Sequence, residues 1–161
     1  MPAAATSYPR TKYEAQLDLA YAIALSSIHC RLFERIARSI GWLNFFSGTA
    51  IVVSLLNGHP RVTLACGLLT AALSAYDLYF KPGEAAANHR RDRQAFLKLQ
   101  SRIAQLSLAQ IDSKLALIRA HAASTLDALE RPVFNDNLRS HGQQAYCVPL
   151  TRWERFARRI A

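Results

Sequence analysis

The strongest constraint on this chain is a hole in its charge map between Ile40 and Phe80. Ile40 to Gly58, read as IGWLNFFSGTAIVVSLLNG, holds no Asp, Glu, Lys or Arg. After His59-Pro60-Arg61 the run from Val62 to Tyr76 is again uncharged, and apolar character resumes after Asp77 through Phe80. A stretch of about nineteen residues reaches roughly 28 Å as a helix, close to the hydrocarbon thickness of a bilayer. The link Asn57-Gly58-His59-Pro60 is a turn signal, because glycine admits unusual φ and proline prevents simple helix continuation. Two apolar helices joined so tightly must lie antiparallel. The expectation is a two-helix transmembrane hairpin over 40–80, with spans at about 40–58 and 62–80.

Charge outside the hairpin supports this reading. Residues 1–39 carry a net charge of +2, residues 40–80 none and residues 81–161 +7, which together make the total of +9. Such a basic total also suits nucleic-acid binding. The basic residues flank an apolar block, however, and form no recognisable binding module, so no nucleic-acid partner is expected. A soluble bundle with two fully buried central helices is the other rival. A chain of 161 residues has few helices with which to surround two others. Near the outer ends of the hairpin stand Arg31, Arg35, Arg38, Lys81, Arg90, Arg91, Arg93 and Lys98, against Arg61 alone in the loop. The positive-inside bias therefore puts both termini in the cytoplasm. Trp42, Tyr76 and Tyr79 suit an interfacial aromatic belt. Cys30, Cys66 and Cys147 are odd in number and far apart, which fits a reducing compartment without a disulfide framework. No cleaved signal peptide is indicated.

The remaining chain reads as amphipathic helix. Residues 1–39 combine a lead containing two prolines with a helix from Thr11, whose apolar stripe runs Leu17, Tyr21, Ala24, Ile28, Leu32, Ile36 and Ile40. In the region 81–147, Lys81-Pro82-Gly83 interrupts the second span, and one long helical pattern follows from about Glu84 to Glu130. Phe96, Leu99, Ile103 and Leu106 keep heptad-like spacing. Ile111, Leu115, Ile118 and Ala122 resume it after a five-residue step, which predicts a bend, a local irregularity or a change of partner face. Arg131-Pro132 is expected to end the helix. The tail 148–161 closes on LTRWERFARRIA, with Leu150, Trp153, Phe156 and Ile160 on one side among four arginines. It suits either an interfacial helix or a helix docked on the bundle. The fold class is all-α.

No phosphate-cradling loop, HExxH, GxSxG or paired-cysteine zinc pattern occurs, and the five histidines are scattered. The chain is not expected to be an enzyme, and neither cofactor nor metal is implied. The informative constellation is in the second span, where Thr63, Gly67, Thr70, Ser74 and Asp77 fall on one small, polar face. Asn44, Ser47, Ile51, Ser54 and Gly58 form a weaker counterpart in the first. These residues either pack the helices together or line a pore in an oligomer. Asp77 either pairs with Lys81 at i+4 or forms a cation-favouring ring near the cytoplasmic mouth. His89, Arg90, Arg91 and Arg93 make a basic cluster just inside the membrane. They serve as a topology-setting collar or as contacts for anionic lipid or a nucleotide.

The order of these features resembles the SLATT family of small two-transmembrane proteins. An amphipathic helix containing HCRLFERIARSI leads into the hairpin. FKPGEAAANHRRDRQAFLKLQSRI follows, then LDALERPVFNDNLRSHGQQAYC, so that the likeness covers roughly Tyr13 to Cys147. The resemblance implies a homo-oligomeric effector of a prokaryotic antiviral defence system that permeabilises the bacterial inner membrane in abortive infection. It also implies a separately encoded nucleotide-second-messenger enzyme or sensor as partner. The alternative is a non-conducting membrane scaffold that recruits a cytoplasmic partner.

Overall fold

The computed structural model describes residues 10–161, so most of the expected proline-containing lead lies outside the described residues. Among the described residues every regular element is helical, as the all-α expectation requires. The helices are α1 (Lys12–Leu56), α2 (Pro60–Phe80), α3 (Pro82–Gln100), α4 (Leu108–His121), α5 (Asp127–Ser140) and α6 (Arg152–Ile160).

Thr11 starts α1 with a capping box. Its hydroxyl accepts from the Glu14 amide at 3.2 Å, and its own amide donates to the Glu14 carboxylate at 2.7 Å. From there α1 runs 45 residues without a break, or about 67 Å. No proline interrupts it, so the amphipathic helix and the first span are one rod. The chain reverses at Asn57–His59, where Gly58 takes φ 70° and the His59 amide donates to the Ser54 carbonyl at 2.8 Å. Pro60 opens α2 at a position whose amide has no helical partner to lose. The 21 residues of α2 span about 31 Å.

At Lys81 the chain passes directly from α2 into α3. Lys81 is the one non-glycine with positive φ among the described residues, at φ 45° and ψ 54°. Its amide still donates to Asp77 (2.9 Å) and its carbonyl accepts from Ala85 (3.0 Å), so a single left-handed residue joins two intact helices. That conformation costs a lysine roughly 1–2 kcal/mol. Pro82 supplies a donor-free first position for α3.

The outer half of α1 is the axis of a helical head. On one side Leu19 and Ala22 meet Phe96 and Leu99 of α3 and Leu115 of α4. On another, Leu25, Ile28 and Leu32 meet Leu129 and Val133 of α5, with Ala157 and Ala161 beyond. Leu19, Ile111 and Leu129 are among the side chains fully withdrawn from solvent, each contributing about 2 kcal/mol of apolar transfer.

Two expectations are corrected. The pattern from Glu84 to Glu130 is not one helix. It ends at Gln100, passes a 3₁₀ turn at Ile103–Gln105, and restarts at Ser107, which forms a capping box with Gln110. The five-residue step between Leu106 and Ile111 is thus a reversal that returns Leu115 to the Phe96–Leu99 cluster. Pro132 also fails to end a helix, because it lies inside α5. It sits near that helix's start, where its missing donor removes a single bond toward Ala128, and its ring is fully buried.

Candidate functional site

The hairpin and the collar of α3 beside it carry the residues singled out by the sequence. Large apolar side chains of the hairpin point outward: Phe45, Phe46 and Leu55 of α1 and Leu64 and Leu68 of α2 are each more than 60 % exposed. No residue of α2 is buried. Two helices are therefore long and apolar enough to cross a membrane, and their apolar surface faces away from the protein. A buried core helix would show the opposite pattern. A continuous apolar surface of this kind marks a membrane-associated segment.

Between the two spans runs a ladder of hydroxyls. Thr70 Oγ1 donates to Ser47 Oγ at 2.8 Å, and Ser47 Oγ donates to the Cys66 carbonyl at 2.8 Å. Two α1 turns further, Ser54 Oγ and Thr63 Oγ1 lie 2.6 Å apart, one hydroxyl donating to the other, with the Ile51 and His59 carbonyls as further acceptors. Ser47 and Ser54 are about 5 % exposed. Each hydroxyl satisfies its partner inside one hairpin, where such bonds contribute about 0.6 kcal/mol apiece. Gly67 lies on the same seam, yet an added Cβ there would meet nothing within 4 Å.

The other stripe residues are left over. Ser74 and Asp77 are exposed, and the Asn44 side-chain oxygen is buried without a hydrogen-bond partner among the described residues. The Asp77–Lys81 pair, one of the two roles expected for Asp77, does not form. The left-handed turn swings the Lys81 side chain to Glu84, at 3.4 Å.

The four collar residues occupy three environments. His89 is 3 % exposed and so is no surface contact for a headgroup. Its ring stacks on Phe33 (centroids 5.6 Å, planes 6° apart) and lies 4.8 Å from the ring of His29. Arg90 pairs with Glu34, whose carboxylate also accepts from the Cys30 thiol at 3.4 Å. The Arg90 hydrogen bond holds the Glu34 carboxyl below its ordinary range, while burial pushes the Cys30 thiol up. Arg91 and Arg93 are exposed. Arg31, Arg90 and Arg93 line a cleft of about 660 Å³ between α1, α3 and α5, with Glu34 and Asp136 on its walls. Cys30, Cys66 and Cys147 are all free thiols.

His29 is the residue that sequence reasoning missed. It is fully buried. Nδ1 donates to the Leu25 carbonyl at 2.8 Å and Nε2 accepts from the Leu126 amide at 2.8 Å, so both nitrogens are committed and the ring is neutral. Burial lowers its pKa, and burial beside His29 lowers that of His89. Asp92 accepts from the Ala123 amide at 2.9 Å. His29 and Asp92 together pin the 122–126 link that leads into α5.

The geometry defines an all-α protein in which an apolar, membrane-associated hairpin carries a helical head at its open end. The chain matches no family model, no curated protein and no solved structure.

Proposed function

We propose that this protein is a membrane effector whose copies assemble through the hairpin and, on a signal from a partner or nucleotide, permeabilise the bacterial inner membrane. Both termini face the cytoplasm in this reading, and the basic residues around the open end of the hairpin support that orientation. The prokaryotic defence setting and the separately encoded nucleotide-signalling partner rest on the resemblance to SLATT proteins. One observation carries the proposal. The hairpin bonds Ser47 to Thr70 and Ser54 to Thr63, and leaves the side chains of Ser74 and Asp77 and the Asn44 side-chain oxygen without hydrogen-bond partners among the described residues. Polar groups in a membrane segment turn toward other protein or toward water. A lone hairpin cannot enclose water, so a second copy or a ring of copies must supply the other wall.

The test is depolarisation of cells, or of proteoliposomes, followed with a potential-sensitive dye. Wild-type protein is expected to collapse the potential, and Asp77→Leu combined with Ser74→Ala to lose that effect while remaining in the membrane. If triggered wild-type protein leaves the potential intact, the permeabilising activity is refuted. The closed hydroxyl ladder favours a second reading, a stable anchor for a scaffold that recruits a cytoplasmic partner. A scaffold keeps its partner and its effect when Asp77 and Ser74 are made apolar.

A further inference from the structure

Helix α6 is docked the wrong way round for a helix of a soluble bundle. Its inward face is Glu154, Ala157 and, just past its end, Ala161, each under 9 % exposed, whereas Trp153, Phe156 and Ile160 are 65 %, 51 % and 45 % exposed. The Trp153 and Phe156 rings stack on one another at 5.5 Å, with no other aromatic ring against them among the described residues. The one carboxylate of the helix is turned inward. Glu154 closes the Thr151 capping box and lies 3.6 Å from Arg131. Arg158 is held by Asp136 at 2.9 Å. Arg152, Arg155 and Arg159 are exposed and have no acidic partner among the described residues. The outward surface is thus aromatic and aliphatic, flanked by three unneutralised cations.

Its position matters as much as its chemistry. Arg35 Nη1 donates to the Ile160 carbonyl at 2.9 Å. Arg35 precedes the start of the first span at Ile40 by five residues, about 7.5 Å along the helix axis. The headgroup layer extends roughly 5–8 Å beyond the hydrocarbon. The C-terminal end of α6 is therefore tethered at the level of the lipid headgroups.

We infer that the exposed face of α6 docks on the anionic headgroups of the leaflet beside the head, with Trp153, Phe156 and Ile160 entering the interface and Arg152, Arg155 and Arg159 neutralising lipid phosphates. This inference rests on the hairpin spanning the membrane. Charge selects this occupant over a second copy, because a two-fold contact would set three unpaired arginines against the same three. Proximity acts in the same direction, since the hairpin holds the leaflet beside α6 at all times. An aromatic–arginine face of this composition suits the boundary between headgroups and acyl chains.

The chain has two tryptophans, Trp42 and Trp153, which allows a clean experiment on the full-length protein in nanodiscs. Trp42→Phe leaves Trp153 as sole reporter, and Trp153→Phe leaves Trp42. Lipids brominated near the glycerol are used in phosphatidylcholine alone and in phosphatidylcholine with phosphatidylglycerol. Trp153 emission is expected to be quenched and blue-shifted in the anionic discs and much less so in the neutral ones. Converting Arg152, Arg155 and Arg159 to Gln weakens that docking about fivefold per arginine. Trp153 that stays unquenched in anionic discs while Trp42 is quenched overturns the docking alone. A Trp153 shift that follows protein copies per disc and ignores lipid charge assigns the face to a second copy and also overturns it. Trp42 unquenched by the glycerol-brominated lipids overturns the spanning hairpin as well.

Discussion

The imidazole of His29 accepts a hydrogen bond from the backbone amide of Leu126, 97 positions later in the chain. Leu126 is the residue from which α5 starts, and α5 has no side-chain cap of its own there. A buried ring on α1 therefore does the work of a cap for a distant helix. Replacing His29 by Leu keeps the volume and removes both bonds. It is expected to lower stability by about 2–3 kcal/mol, since the Leu25 and Leu126 backbone groups lose their partner. Thermal melts in detergent test this, with cleavage in the 122–126 link as the local readout. His29→Gln, which retains a donor and an acceptor, is expected to recover part of the loss.

The same ring makes the head sensitive to acid. Both His29 and His89 are held below the ordinary histidine pKa of 6.5, mainly by burial; the Leu25 carbonyl and then Glu130 oppose this in part at His29, and Asp92 does so at His89. The folded state thus favours neutral rings, and the unfolded state takes up protons first as pH falls. Stability is complete above about pH 6.5 and is lost progressively below it. Melting temperature is expected to decline between about pH 7 and pH 5, and to decline less in His89→Phe, which keeps the stack on Phe33. A flat profile in the wild type contradicts this.

Asn135 is 1 % exposed and forms a two-point clamp. Its amide nitrogen donates to the Val148 carbonyl at 2.7 Å, and its oxygen accepts from the Val148 amide at 2.9 Å. Asn135→Ala is expected to cost about 2–4 kcal/mol and to free the segment ahead of α6. Hydrogen exchange at Val148 should rise well before that of α5 itself.

The hydroxyl ladder predicts a coupling that a solvent-facing stripe would lack. In a double-mutant cycle Ser47→Ala and Thr70→Val are expected to be non-additive by about 0.6 kcal/mol. Ser47→Ala with Ser74→Ala is expected to be additive, because Ser74 is exposed and the hydroxyl of Ser47 bonds Thr70 and Cys66 instead. Unfolding in mixed micelles measures both.

The charge-free runs and the Asn57–Pro60 turn made the hairpin legible, because lipid leaves a crude and continuous mark on sequence. The second span occupies Pro60–Phe80, against an expected 62–80. The head was less legible. A five-residue slip in heptad spacing signals a reversal as readily as a bend, and only the Ser107–Gln110 box distinguishes the two. Pro132 was misleading, since it forfeits only the one bond toward Ala128 while its ring is fully buried in the head. His29 and His89 stand 60 positions apart and meet only through the antiparallel register of α1 and α3. Which polar stripe residues bond one another was fixed by that same kind of register, and a single sequence does not state it.

The joint at Lys81 gives the two limbs of the molecule unequal mechanical properties. α1 is a shaft with no break from the distal end of the head to the far side of the hairpin. The returning limb has one knuckle, held by one residue in an unfavourable conformation. Any shift of α3 along α1 would have to part the Phe33–His89 stack, which ties the returning limb to the shaft.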